Sequence, residues 1–89
     1  MRIDWSARAR RNLADIYEYL EERSPTAAAR VRDAIWQEAQ LLRATRSPGV
    51  RQLVIARTPY IILYTANRSA GAVIILRVFH GAQVPPEDL

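Results

Sequence analysis

Two residues near the end of the last apolar run carry the side chains best suited to chemistry. Arg77 and His80, the only His in the 89-residue chain, close the segment 72–80 just before Gly81. A guanidinium is a planar, bidentate donor that suits phosphates and carboxylates, and an imidazole changes its charge near neutral pH. If both side chains lie near one end of a sheet, they form a small functional corner.

Strand geometry leaves the convergence of this pair open. Side chains three residues apart on a regular strand point to opposite faces, so Arg77 and His80 converge only if the strand ends or bulges before Gly81. Each residue also has an ordinary structural explanation. His80 can be a neutral imidazole hydrogen-bonded to backbone, and Arg77 can form an ion pair with a carboxylate from a helix or the tail.

Arg51 and Arg57 bracket an earlier predicted strand, residues 52–57, at an even separation. On a regular strand they project from the same face, and with Arg77 they form a basic stripe if the strands pair suitably. Ordinary solvated positions explain them nearly as well. All thirteen basic residues are Arg, against nine acids, and the net charge of +4 favours an anionic partner. The candidate partner-binding residues are therefore Arg51, Arg57 and Arg77.

The composition argues against several classes of site. The chain has no Cys and a single His, so a disulfide framework and a zinc site lack the necessary residues, and we expect neither metal nor cofactor. The N-terminus goes straight into polar and charged residues, and no later segment reaches the roughly 18 apolar residues of a membrane span. We expect a cytoplasmic protein without a membrane partner.

The N-terminal half has the pattern of a strand followed by two helices. Residues 2–5 alternate polar and apolar side chains, and Ser6 then offers an N-cap. Apolar residues at helical spacing predict an amphipathic helix of about four turns from near Ala7. Ser24, followed by Pro25, starts a second helix, so the two form a hairpin. The predicted core face of the second helix is Ala28, Val31, Ile35, Ala39 and Leu42.

The C-terminal half has the pattern of three strands, predicted at residues 52–57, 60–66 and 72–79. The order β-α-α-β-β-β predicts an α+β fold with the helix hairpin packed on one face of a mostly antiparallel sheet. We expect one domain over residues 1–84, and a short disordered tail over 85–89 because Pro85 and Pro86 end the last strand.

Both faces of the predicted strands are apolar, although only one can face the helices. The alternating sets are Ile62 and Tyr64 against Ile61 and Leu63, and Ile74, Leu76 and Val78 against Val73, Ile75 and Phe79. The set facing away from the helices is either a second small core under a terminus or an interface with another chain. An exposed apolar patch of this kind favours the interface.

The order and spacing of five segments resemble the RelE/ParE toxin superfamily of bacterial type II toxin–antitoxin systems, over nearly the whole chain. These segments are Ile3-Asp-Trp-Ser6, Ser24-Pro-Thr-Ala-Ala28, Gly49-Val-Arg51, Thr58-Pro-Tyr-Ile61 and Ile75-Leu-Arg-Val-Phe-His-Gly-Ala-Gln83. The resemblance implies a compact toxin, held in a hetero-oligomer by a small antitoxin whose disordered tail wraps it. It also implies an operon that the complex represses.

Two activities occur in this superfamily. RelE-like members cut mRNA in the ribosomal A site, and resemblance to them implies catalytic roles for Arg57, Arg77 and His80 in proton transfer and phosphate stabilisation. ParE-like members poison DNA gyrase. The chain has no Lys and carries Gly81 where the ribonucleases carry an aromatic residue, so a ParE-like gyrase inhibitor is favoured. The alternatives are a ribosome-dependent endoribonuclease and a non-toxic partner that acts only in operon repression.

Overall fold

The computed structural model describes residues 1–45 and 49–82, and in them two helices pack against a four-stranded sheet. The elements in chain order are β1 (Arg2–Trp5), α1 (Ala7–Arg23), α2 (Pro25–Gln40), a short 3-10 turn (Leu41–Ala44), β2 (Val50–Val54), β3 (Tyr60–Asn67) and β4 (Ala72–His80). The predicted α+β class and element order are confirmed. Neither helix combines the length and apolar character that a membrane crossing requires. The predicted tail at 85–89 lies outside the described residues.

Two serines define where the helices begin. The Ser6 hydroxyl accepts the Ala9 N–H at 3.0 Å, and the Ser24 hydroxyl accepts the Ala27 N–H at 3.2 Å. Ser24 also ends α1, because its extended backbone breaks the helix while its own N–H still donates to the Leu20 carbonyl at 2.7 Å. A single residue therefore separates the helices, with Pro25 at the first helical position of α2.

The sheet has the strand order β1-β4-β3-β2. The two hairpin pairings, β2 with β3 and β3 with β4, are antiparallel, whereas β1 runs parallel to β4. The β1–β4 register ends at the pair Trp5 and Ile75, but β4 continues to His80. The last part of β4 therefore has a strand on its β3 side only, within the described residues.

The core lies between the helix pair and one face of the sheet. All five predicted core residues of α2 and the turn after it are buried. From the sheet, the core contains Ile55, Tyr60, Ile62, Tyr64, Val73, Ile75 and Val78. In α1, Ala9 is fully buried, and Leu13, Ile16 and Leu20 are partly buried against the same cluster. Burial of these side chains is the main stabilising contribution to a domain of this size.

Two strand predictions need correction. β2 ends at Val54 instead of continuing to Arg57, because Arg57 has a positive φ of 65° and lies in the turn before β3. The alternation predicted for β4 is also wrong, because the register with β3 shifts between Leu63 and Tyr64 and leaves Leu76 as an extra residue. This bulge moves Val78 to the helix-facing side.

The sheet face away from the helices is only partly covered. By strand alternation it carries Leu63 and Phe79, which are 1% and 7% exposed, and at the β2 edge Val50 and Val54, which are 55% and 63% exposed. The exposed apolar surface of this face therefore concentrates at the edge strand.

Candidate functional site

The predicted corner at the end of β4 is a cleft of about 440 Å³ between α1 and the sheet. It lies where β4 has passed the end of β1. The side chains and backbone that line it come from Asn12, Asp15, Ile16, Tyr19, Tyr60, Arg77, Val78, Phe79 and His80. The cleft thus combines Asp, Arg, His and Tyr residues over an apolar floor.

Two polar residues hydrogen-bond to the backbone groups at the edge of β4 beside this cleft. The Ser6 N–H donates to the Ile75 carbonyl at 2.9 Å, and the Ser6 hydroxyl donates to the Leu76 carbonyl at 3.0 Å. Six residues further along the chain, in α1, the Asn12 side-chain oxygen accepts the Val78 N–H at 3.0 Å. These contacts take the place of strand pairing beyond the end of β1, and they anchor α1 to β4.

The anchoring role of Asn12 is not among the predictions made from the sequence. The sequence feature that indicates this role is the position of Asn12, a polar residue beside Leu13 and one turn before Ile16, on the half-buried side of an amphipathic helix. A polar residue at such a position needs a partner when it is desolvated.

His80 lies at the mouth of the cleft and is exposed. Its ring meets the Tyr60 ring edge-on, with centroids 5.6 Å apart and an interplanar angle of 83°. Its Nδ1 accepts the Ala82 N–H at 3.1 Å. Nδ1 is therefore engaged by backbone, which is the kind of contact that a structural role for His80 predicts.

Tyr60 packs under this imidazole and is 5% exposed. Burial raises the pKa of the Tyr60 phenol, and interaction with the charge of Tyr19 raises it further. The phenol therefore stays protonated at neutral pH, where it can donate a hydrogen bond but cannot act as a base.

Arg77 and His80 border one cleft from different faces of the sheet. The bulge at Leu76 comes before both residues, and the register from Arg77 to His80 is regular. Arg77 is therefore on the side of its partner Leu63, and His80 on the side of its partner Tyr60. Arg77 also lines a groove of about 360 Å³ with Ser6, Arg8, Leu63 and Leu76. Because the edge of β4 is open here, residues from both faces reach the cleft.

Arg57 lies in a different place. It lines a second cleft of about 980 Å³ between α2 and the β2–β3 turn, with Arg30, Asp33, Ala34, Gln37, Glu38, Leu41, Ala56 and Thr58. The turn is held by Glu38, whose carboxylate accepts the Ala56 N–H at 3.3 Å, and by Thr58, whose hydroxyl donates to the Ile55 carbonyl at 3.0 Å. The structure thus separates Arg57 from the cleft of Arg77 and His80.

The predicted basic stripe does not form on one face. Arg51 pairs with Tyr64, on the helix-facing side, whereas Arg77 pairs with Leu63, on the other side. Arg57 is off the strand altogether. Arg51 and Arg57 are both exposed. Over residues 1–45 and 49–82, no group of three or more His, Cys, Asp or Glu side chains is arranged to hold a metal ion.

Comparison with known proteins identifies the family. Residues 3–85 match the family model described as the ParE toxin of the type II toxin–antitoxin system parDE. A Sinorhizobium fredii (strain NBRC 101917 / NGR234) protein named as a candidate toxin, Y4kP, is 40% identical over 95 residues, covering 99% of this chain and 96% of that protein. A structure of the chromosomal ParDE system from P. aeruginosa shares the fold, with a TM-score of 0.75, 23% identity and coverage of 90% of this chain and 95% of that one. The chain therefore belongs to the ParE toxin family of type II toxin–antitoxin systems.

Proposed function

We propose that this chain is a toxin that inhibits DNA gyrase and that a cognate antitoxin neutralises it. The observation that carries the proposal is the ParE match over residues 3–85. The absence of Lys, and Gly81 where the ribonucleases carry an aromatic residue, point the same way.

The geometry of the candidate catalytic residues supports a binding toxin over a nuclease. General acid–base cleavage of RNA needs its groups to converge on one phosphate. Here Arg57 lines a different cleft from Arg77 and His80. His80 has one ring nitrogen engaged by backbone. We therefore assign no catalytic roles to these residues in the favoured function.

The cleft beside α2 is the surface we propose for the antitoxin. It carries Leu41, which is 70% exposed, together with the exposed cations Arg30 and Arg57. The two acids in its lining are already engaged, since Asp33 lies 3.6 Å from the Arg32 guanidinium and Glu38 accepts the Ala56 N–H. An amphipathic segment with apolar and acidic side chains complements this surface.

Gyrase supercoiling and DNA-cleavage assays with the folded, purified chain test the target. We expect inhibition that added antitoxin relieves. Arg77→Ala is the informative variant for the alternative function, because a nuclease role for this residue predicts loss of mRNA cleavage when it is removed. A folded chain that leaves supercoiling unchanged but cleaves mRNA on translating ribosomes, with loss of cleavage in Arg77→Ala, would establish the nuclease instead. Harmless expression without antitoxin would support a role in operon repression only.

A charge reversal tests the antitoxin surface separately. We expect Arg57→Glu to weaken antitoxin binding about tenfold, or ~1.4 kcal/mol, through loss of an attractive charge and gain of a repulsive one. Arg11→Glu makes the same charge change on α1, at an exposed residue outside the cleft, and is the matched control. Equal weakening by both variants would indicate general charge attraction and contradict a specific role for this cleft.

A further inference from the structure

The open edge of β2 has a pattern that matches itself. In the described part of the chain, β2 pairs with β3 on one side and with no strand on the other. The Ile55 N–H donates to the Tyr60 carbonyl at 3.0 Å, so Ile55 belongs to the residues that hydrogen-bond to β3. Because backbone groups alternate sides along a strand, the N–H and C=O groups of Val50, Gln52 and Val54 point to the open edge.

The side chains of these outward residues add a second regularity. Val50 and Val54 lie on the face away from the helices and are 55% and 63% exposed, and Gln52 lies between them. An exposed edge strand with apolar side chains is a site for pairing with another strand. The segment is symmetric about Gln52, since a valine stands two residues before it and another two residues after it.

We propose that the β2 edges of two copies of this chain pair antiparallel about a two-fold axis at Gln52. Val50 of each copy then lies opposite Val54 of the other, and Gln52 lies opposite its own counterpart. The outward N–H and C=O groups of these residues are satisfied in three hydrogen-bonded pairs. The four valines form one apolar cluster on the outer face, and the two sheets become one of eight strands.

The second copy fits this edge better than an unrelated strand because the two-fold axis pairs each outward backbone group with its equivalent and brings the exposed valines together. An isologous contact of this kind closes at the dimer and creates no further edge. The two Arg51 side chains oppose the pairing, since they approach diagonally on the helix-facing side. A five-residue strand also buries less surface than a standard interface. We therefore expect a dimer that dissociates on dilution and strengthens as salt screens Arg51.

Single-cysteine cross-linking of the full chain tests the axis, since the natural sequence has no Cys. In the proposed register, residue 52 lies about 5.5 Å from its counterpart, within disulfide range, whereas residue 50 lies more than about 13 Å from its own. On oxidation we expect Gln52→Cys to form a covalent dimer and Val50→Cys to remain monomeric. A mixture of Val50→Cys and Val54→Cys should yield mixed dimers.

Sedimentation of the uncross-linked protein gives an independent check. We expect the wild-type chain to shift from monomer to dimer as its concentration rises, and Val54→Lys to remain monomeric. Thr26→Lys, an equal charge change at an exposed residue of α2, should dimerise like the wild type. Cross-linking of Val50→Cys as readily as Gln52→Cys, or no cross-linking of Gln52→Cys at any concentration, would overturn the proposal. These outcomes do not depend on whether gyrase is the target.

Discussion

Replacing Asn12 with alanine should destabilise the fold by about 1–3 kcal/mol, because it removes the acceptor of a buried backbone donor. Val78 is 2% exposed, and its N–H donates to the Asn12 side-chain oxygen at 3.0 Å on the side of β4 that β1 does not cover. A buried donor without a partner costs about 1–3 kcal/mol, more than the net worth of an ordinary hydrogen bond. In a domain of this size, each kcal/mol corresponds to about 4–8 °C in Tm.

Urea unfolding followed by circular dichroism measures this loss, and amide hydrogen exchange locates it. The Val78 amide should exchange about tenfold faster for each 1.4 kcal/mol lost by local opening. Asn12→Asp keeps an acceptor and should lose less, and Glu18→Ala, at an exposed position of the same helix, should stay within about 0.5 kcal/mol of the wild type. If Asn12→Ala is as stable as Glu18→Ala and the Val78 amide stays protected, the hydrogen bond does not anchor α1 to β4 as we infer.

Three further predictions follow from local geometry. Arg57→Gly should raise the free energy of unfolding, measured in urea titrations, by about 0.5–1 kcal/mol. Relief of the positive φ is worth about 1–2 kcal/mol and is partly offset by glycine's greater freedom in the unfolded chain. A lower free energy of unfolding in this variant would contradict the prediction. Burial raises the pKa of Tyr17 and Tyr60, so the unfolded chain loses these protons first. Stability, measured as the denaturant midpoint of unfolding, should therefore persist up to about pH 10 and fall above it. The fall should be weaker in Tyr60→Phe, and no fall at all would contradict the raised pKa values. Trp5 and Trp36 stack with centroids 6.1 Å apart, so Trp36→Ala should cost about 0.5–1.5 kcal/mol and shift the Trp5 fluorescence, whereas unchanged emission would argue against the stack.

Features with a local cause could be predicted from the sequence. The start of each helix follows from Ser6 and Ser24, because a hydroxyl at the N-cap acts on an N–H three residues away. The buried face of α2 follows from helical periodicity for the same reason. Each of these depends on residues within one or two turns.

Features that depend on pairing between distant segments could not be predicted. The bulge at Leu76 arises from the register between β3 and β4, and no residue type near it predicts the extra position. The apolar neighbours of Arg57 predict a strand, although the turn places this residue at a φ that favours glycine or asparagine. The candidate site differs most from its prediction. Strand alternation predicts one basic stripe of Arg51, Arg57 and Arg77, whereas the structure places Arg51 and Arg77 on opposite faces of the sheet and Arg57 in a turn.

The parallel pairing of β1 with β4 also constrains when the protein can fold. β1 comprises residues 2–5, and its partner begins at Ala72. A ribosome makes the chain from its N-terminus, so β1 has no neighbouring strand until synthesis reaches residues 72–75. A chain cut short before residue 72 lacks the strand that joins β1 to the rest of the sheet. We therefore expect premature termination to release no folded toxin, so that activity begins only when synthesis of the sheet is complete.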